Sequence, residues 1–387
     1  MQITGDWFRN AHTQAVCRAL TDSGYQALFV GGCVRNALLG RPVNDIDIAT
    51  DATPETVMAL EEQAGFKVVP TGIDHGTVTV VSGSIPHEIT TFRHDVETDG
   101  RRAVIAFASN VTDDARRRDF TMNALYADPD GTIIDPLGGL ADLEARRVRF
   151  IENPVDRIRE DYLRVLRFFR FHAWYGDALA GIDPEGLAAV ADHLEGLGAL
   201  SRERVGAEMK KLLNAPDPAP SVAAMRATGV LGIILPGADD RALAPLVHAE
   251  ASLDIEPDAI RRLACLGGED VPERLRLSQK ETKHLAALQS ASGTTESPAV
   301  VGYRQSFAIA RDIILLRAAV FGQAPNPVDL DAARKGAEAQ FPVRARDLMP
   351  EYQGPALGRR MKALEEAWIA SGFQLSSKAL LALPDEG

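Results

Sequence analysis

A change of hydrophobic period near Pro154 limits what this chain can fold into more than any other feature. Before it, short β-rich segments recur: YQALFV at 25–30, NDIDIAT at 44–50, TVTVV at 77–81, HEITTF at 87–92 and AVIAF at 103–107. Gly, Pro, Asp and Asn punctuate them, with amphipathic stretches at Val34–Leu39 and Pro54–Ala64. After it, Val155–Tyr175, Pro184–Leu197, Ser201–Leu213, Asp258–Leu266, Lys280–Ser290 and Gln305–Phe321 carry apolar residues at helical spacing. The pattern predicts an α+β head followed by an all-helical remainder. TVTVV and HEITTF should pair as an antiparallel hairpin across Ser82–Pro86. With 387 residues, the chain can hold roughly two to four domains.

Composition removes several classes. The first residues, MQITGDWFRNAHTQAV, lack the pattern of a secretory signal. No run of 18 apolar residues is present, so no membrane span is expected. Cys17, Cys33 and Cys265 are few and far apart, fitting neither a disulfide framework nor a four-ligand zinc site. A cytoplasmic, disulfide-free protein is expected. The net charge of −12 argues against a broad, nonspecific nucleic-acid binder, whose surface is strongly basic. A local basic groove is still compatible with that total.

The densest chemistry is Gly31-Gly32-Cys33-Val34-Arg35-Asn36, followed by Asp45-Ile46-Asp47. The apolar run Ala27–Val30 feeds a Gly-Gly turn and then a helix. Glycines let backbone N–H groups approach a phosphate, and Arg35 adds a cation. Alone, such a turn would mean only a positive φ. Asp45 and Asp47 alter that reading, because residues i and i+2 of a strand face the same way. Two carboxylates on one face form half of a two-magnesium site, and Mg²⁺ takes oxygen ligands together with substrate phosphates. Glu88, on the following hairpin, is the candidate third carboxylate; otherwise it is an edge-strand surface charge.

Arg116-Arg117-Arg118-Asp119-Phe120-Thr121-Met122-Asn123 follows. Phe120, Ala124 and Leu125 fit a packed helix face. Arg117, Arg118 and Asn123 suit triphosphate and ribose contacts, since a guanidinium fork matches phosphate oxygens. Asp135-Pro136-Leu137-Gly138-Gly139 reads as a tight turn. In RIREDYLRVLRFFRF (157–171) a single helix is expected, with Arg157, Asp161 and Arg164 at i, i+4 and i+7 on one side. Plain intrahelical ion pairs would explain that spacing too.

Taken together, these segments resemble the tRNA nucleotidyltransferase (CCA-adding enzyme) and bacterial poly(A) polymerase family, in the bacterial/eukaryotic class of the polymerase-β-like superfamily. The matching elements are GGCVRNALLG…DIDIAT, HGT at 75–77, EITTFRHDVETDGRRAV, RRRDFTMNAL, DPLGGLADL, RIREDYLRVLRFFRF and LSRERVGAEMKKLL, in the family's order over roughly 25–213. GPALGRRMKALEEAWIASGF is a weaker match. The resemblance implies a nucleotidyltransferase head with a mixed β-sheet (1–142), a helical neck with base recognition (143–213), and a helical body and tail binding tRNA (214–387).

It implies catalytic roles for Asp45 and Asp47, with both holding Mg²⁺; Glu88 is expected to join them as a catalytic carboxylate from its place on the hairpin. Arg117, Arg118, Asp119, Asn123, Glu160, Asp161 and Arg164 are implied to bind the nucleotide, and Gly32, Arg35 and Arg167 are expected to bind it with them. CTP, ATP and the tRNA acceptor end are the implied partners. Glu160, Asp161 and Arg164 match the EDxxR element that acts as a protein template. Its chemistry is direct: Asp161 accepts from the amino group of C or A, and Arg164 donates to the ring acceptors. U and G present the opposite pattern, and each good bidentate contact gives about 1–3 kcal/mol of discrimination.

Arg93–Phe107 is expected to be the mobile loop that the family needs to pass from C to A addition. His94-Asp95 within it spells a metal-phosphohydrolase dipeptide, but no helix-borne partners are evident, so it is assigned to chance. One departure stands out: the family commonly has Asp where this chain has Asn36. A poly(A) polymerase of the same family shares the head motifs, but commonly carries a basic C-terminal extension, whereas this chain ends KALLALPDEG. A catalytically inactive tRNA-binding relative would be favoured by loss of Asp45 or Asp47, and both are present. An antibiotic-modifying nucleotidyltransferase leaves the 157–171 segment unexplained. Within 115–170, 11 arginines stand against 10 acids, so the acidic excess lies largely outside the expected cleft.

Overall fold

The computed structural model describes all residues except 99–102, 178, 293–295 and 385–387. The chain divides into two compact units, Met1–Ile234 and Leu235–Gly387. The expected boundaries at 142 and 213 both fall inside the first.

In the first unit a seven-stranded mixed sheet runs in the order β3-β4-β5-β2-β1-β8-β9. Its strands are β1 Leu28–Val30, β2 Ile46–Thr50, β3 Lys67–Gly72, β4 Thr77–Ser82, β5 Ile85–Thr91, β8 Tyr126–Ala127 and β9 Ile133–Ile134. Only the β2–β5 pairing is parallel; the other pairings are antiparallel. β1 is short and buried throughout, as suits a central strand covered on both faces. β4 alternates buried and half-buried residues, the period of a half-covered strand. The expected hairpin forms and is tighter than expected: Ser82 pairs with Ile85, leaving Gly83 (φ 57°) and Ser84 (φ 65°) as its turn. Edge strand β3 contains Pro70, which masks it in a sequence reading and suits an edge.

Arg93–Phe107 is not an irregular loop at its base. Arg93–Thr98 (β6) and Ala103–Phe107 (β7) form a two-stranded antiparallel ribbon separate from the main sheet. The side chains of His94 and Asp95 lie outside the described residues, and so does the segment between the two strands.

Two further expectations fail. Val155–Tyr175 is not one helix: Pro154–Glu160 ends at Asp161, whose backbone is extended (φ −154°, ψ 105°), and Leu163–Tyr175 starts anew. Arg157, Asp161 and Arg164 therefore do not share one helix face. The 116–125 segment is also not a packed helix. Val111–Arg116 is helical, but Phe120 bridges to Phe150 and Thr121–Asn123 is only a 3₁₀ turn. Main-chain bonds from Thr121 N to Arg149 O (3.0 Å) and Ile151 N to Asp119 O (3.1 Å) draw it out of helical form. Phe120, Ala124 and Leu125 are fully buried all the same. Phe120 packs against Phe150, Phe168 and Phe171, with ring centroids 4.9–6.2 Å apart, which ties this segment to the Leu163–Tyr175 helix.

The second unit is helical. Its helices include Leu243–Ser252, Ala259–Leu266, Phe307–Val320, Pro327–Glu338 and Gly354–Ala370. Gly336 allows close packing of Pro327–Glu338 on Pro298–Arg304: a Cβ there would sit 1.9 Å from the Ala299 carbonyl oxygen. Val343, Leu348, Leu364, Trp368 and Leu380 form a core near the C-terminus. Among the described residues, no helix is long and apolar enough to cross a membrane.

Candidate active site

Within the first unit, β1 leads into Gly31, whose φ of 69° favours glycine and turns the chain into helix Gly32–Leu38. A Cβ on Gly31 would approach Arg118 Nη1 to 3.3 Å. The turn borders a cavity of about 380 Å³, lined by Gly31, Gly32, Arg35, Asp47, Arg117, Arg118, Asp119, Asn123, Asp161, Leu163, Arg164, Arg167, Phe171 and Arg204. Nine of the expected nucleotide-binding residues are thus brought together, along with Asp47. Glu160, Asp45 and Glu88 do not line it.

Asp47 pairs in register with Glu88 across the parallel β2–β5 ladder. Burial, then repulsion from Glu88, pushes the Asp47 carboxyl up to about 6; Arg118 opposes the shift and Asp45 adds to it. Asp45 precedes β2 and is exposed, as is Glu88. Among the described residues no preassembled cluster of three metal-ligating side chains occurs. The chemistry of the donor set nevertheless fits a hard divalent cation: Asp45, Asp47 and Glu88 offer only carboxylate oxygens, and a cation would relieve their mutual repulsion.

All the cavity arginines but Arg35 are held by carboxylates. Asp114 anchors two: Arg117 Nε donates to its Oδ1 at 2.8 Å and Arg118 Nη2 to its Oδ2 at 3.0 Å, with the Tyr126 hydroxyl at 2.7 Å. Burial opposes the Asp114 charge, but Arg118 and Arg117 outweigh it and hold the carboxyl down at about 2. Asp119 accepts from Arg167 Nε (2.7 Å), from Asn123 Nδ2 (2.8 Å) and from the Phe120 N–H (2.9 Å). Asn123 Oδ1 in turn accepts from Arg35. Arg35 also donates to the Tyr175 hydroxyl at 2.9 Å, and its guanidinium lies 4.2 Å from that ring's centroid.

The break at Asp161 shapes the rest. In an unbroken helix the Arg157 carbonyl would accept from the Asp161 N–H. Here it accepts from Arg164 Nη1 at 3.1 Å, and the Arg117 carbonyl accepts from Arg164 Nη2 at 3.0 Å. Glu160 pairs with both Arg157 and Arg164. Three of the five N–H donors of Arg164 are thereby used, and two remain for a ligand. Asp161 Oδ1 accepts from the Leu163 N–H at 3.0 Å and Oδ2 from Arg204 Nη2 at 2.5 Å, so each oxygen keeps a lone pair.

Asp114, Tyr175 and Arg204 were not singled out in the sequence. Asp114 had a signal, standing three and four residues before Arg117 and Arg118. Arg204 lies in the LSRERVGAEMKKLL segment, but only the fold brings it to Asp161. Tyr175 left no signal.

A strand, a Gly-Gly turn, an acidic second strand and an arginine-rich cavity define a nucleotidyltransferase. Residues 27–149 match the poly A polymerase head domain, and 181–241 match a probable RNA- and SrmB-binding site of polymerase A. The mitochondrial CCA tRNA nucleotidyltransferase 1 of Danio rerio is 31% identical over 380 residues, covering 92% of this chain and 86% of that one. The CCA-adding enzyme of Geobacillus thermodenitrificans is 42% identical over 224 residues, 57% of this chain and 54% of that one. The solved structure of the Bacillus stearothermophilus CCA-adding enzyme in complex with CTP superposes with a TM-score of 0.75 at 29% identity, covering 95% of this chain and 94% of that one. The chain belongs to the tRNA nucleotidyltransferase family.

Proposed function

We propose that this enzyme adds C, C and A to the 3′ end of tRNA from CTP and ATP, without a nucleic-acid template, releasing pyrophosphate. The observation that carries the reading is the pairing, in one cavity, of a phosphate-binding arginine set with Asp161 and Arg164. Asp161 keeps acceptors for the amino group of C or A, and Arg164 keeps donors for their ring acceptors. Arg117, Arg118 and Arg35 face the triphosphate, Gly32 lets the backbone approach it, and Asp119 with Asn123 and Arg167 orients the sugar side. Glu160 steadies Arg164.

The relatives' names, CCA tRNA nucleotidyltransferase and CCA-adding enzyme, and the CTP complex of one of them support the same reading. Enzymes of this family generally use a divalent metal. In this chain Asp45 and Asp47, with Glu88 beside them, would hold Mg²⁺, which supplies charge stabilisation for the triphosphate and the attacking 3′-hydroxyl. The head spans 1–142, the neck 143–213, and the tRNA-binding body and tail 214–387. The free thiols Cys17, Cys33 and Cys265 suit a reducing cytoplasm.

The test supplies each NTP singly, with Mg²⁺, to tRNA lacking its CCA end and to unstructured RNA. Incorporation of CTP by itself, and of ATP once the two C residues are in place, is expected, confined to tRNA, with UTP and GTP refused. Long A-tails on unstructured RNA would instead mark a poly(A) polymerase, and no incorporation would mark a binding protein. Asp161→Ala should admit UTP and GTP; continued exclusion of both would sink the template role.

A further inference from the structure

Six arginines line the cavity, and five of them hold a carboxylate: Arg117 and Arg118 share Asp114, Arg164 has Glu160, Arg167 has Asp119 and Arg204 has Asp161. Arg35 differs from all five. It is 7% exposed, and its hydrogen bonds go to neutral oxygens: Asn123 Oδ1, Asn36 Oδ1 at 3.1 Å and the Tyr175 hydroxyl at 2.9 Å. Its Nε has no partner among the described residues. Burial lowers its pKa, and Tyr175 and then Asp119 partly restore it, but Asp119 is itself bonded to Arg167. A desolvated guanidinium without a counter-charge is costly, and an anion entering the cavity removes that cost.

Asn36 decides whether the counter-charge is built in. Its oxygen already touches Arg35, so a carboxylate of the same shape there would neutralise the guanidinium. Its Nδ2 donates to the Pro42 carbonyl at 3.0 Å, which fixes the amide with its oxygen toward Arg35.

We propose that Asn36 is a tuning residue: by leaving Arg35 unneutralised, it makes the cavity retain free pyrophosphate, the reaction's own product, and so sets how strongly the enzyme is restrained by that product. The proposal rests on the nucleotidyl-transfer reading for the identity of the product, but not for the existence of the anion site.

The experiment titrates pyrophosphate alone, in EDTA at low salt, into the full-length wild type, Asn36→Asp and Asn36→Ala, with thermal melts to confirm that each is folded. Asn36→Asp should weaken pyrophosphate binding by roughly tenfold or more, the scale of one charge-assisted contact. Asn36→Ala removes the contact without adding charge and should bind within roughly threefold of wild type. Equal affinity in wild type and Asn36→Asp overturns the proposal. So does an Asn36→Ala loss as large as that of Asn36→Asp, because position rather than charge would then matter. A single-stranded RNA oligonucleotide titrated in parallel separates the source of the phosphate: a loss confined to RNA assigns Arg35 to the primer backbone and also overturns it. Should wild type bind pyrophosphate yet incorporate no nucleotide into tRNA, the functional reading fails while the anion site stands.

Discussion

Arginine is used in two opposite ways in the two units. In the cavity, Arg164 keeps donors in reserve and Arg35 hydrogen-bonds only to neutral oxygens, so the network has capacity left over. In the second unit, Arg261 and Arg262 are each 1% exposed and both bind Glu250, through Nε of Arg261 at 2.7 Å and Nη2 of Arg262 at 2.6 Å. Arg261 also reaches Asp312 at 3.0 Å. That network is buried, with its cations seated on carboxylates. The contrast teaches that burial of a charged cluster does not by itself mark a site; unspent hydrogen-bonding capacity next to a cavity does.

The largest effect that sharpens the contrast is expected from Glu250→Ala. It would take the shared carboxylate from two buried cations, leaving Arg261 with Asp312, and cost about 3–5 kcal/mol, read as a lowered urea midpoint, with the choice of CTP and ATP over UTP and GTP unchanged. Altered nucleotide choice would break the distinction between the two networks.

Asp114→Asn comes next. It loosens Arg117 and Arg118 while removing a negative charge beside them. The expected result is a kcat lower by roughly ten- to a hundredfold, about 1.4–2.8 kcal/mol of transition-state stabilisation, with the nucleotide KM unchanged or lower. A KM that rises as kcat falls would reduce Asp114 to a plain structural prop.

The third effect is on pH dependence rather than on turnover and concerns Glu61, which is fully buried with both carboxyl oxygens unpartnered among the described residues. Burial pushes its carboxyl up to about 8. Because that value lies above the unfolded one of about 4.5, the folded chain keeps a proton that the unfolded chain gives up. Stability should therefore decline as pH rises from about 4.5 to 8 and level off beyond. Glu61→Gln should flatten that slope in thermal melts; an unchanged slope would mean that Glu61 is not its source.

Much of the head was legible because its signals are local. Apolar Ala27–Val30 before Gly31 announces a buried strand and turn, and alternation in 77–81 announces a half-covered strand. The helix stop at Asp161 was hidden because Glu160-Asp161-Tyr162 contains no Gly or Pro. It is set by bonds to residues distant in sequence, Arg204 to Asp161 and Arg164 to the Arg117 carbonyl. The 116–125 segment misled for a related reason: its apolar residues are buried as a helix face would be, but main-chain bonds to 149–151 hold them in another form. Within the cavity, residue types pointed to most of the side chains that line it, whereas their anchors, Asp114 apart, needed the fold.

The β6–β7 ribbon has a mechanical consequence. Its ladder is its own, and at its base Ala108 N donates to Phe92 O at 2.7 Å while Phe92 N donates to Thr50 O at 2.6 Å. Phe92 and Ala108 are both buried, so the ribbon is clamped at one end like a lever on a fulcrum. Six residues of strand reach about 20 Å, and a rotation of about 10° at the base would carry the far end of such an arm by about 3 Å. No hydrogen bond of the main sheet's ladders would have to break for that sweep.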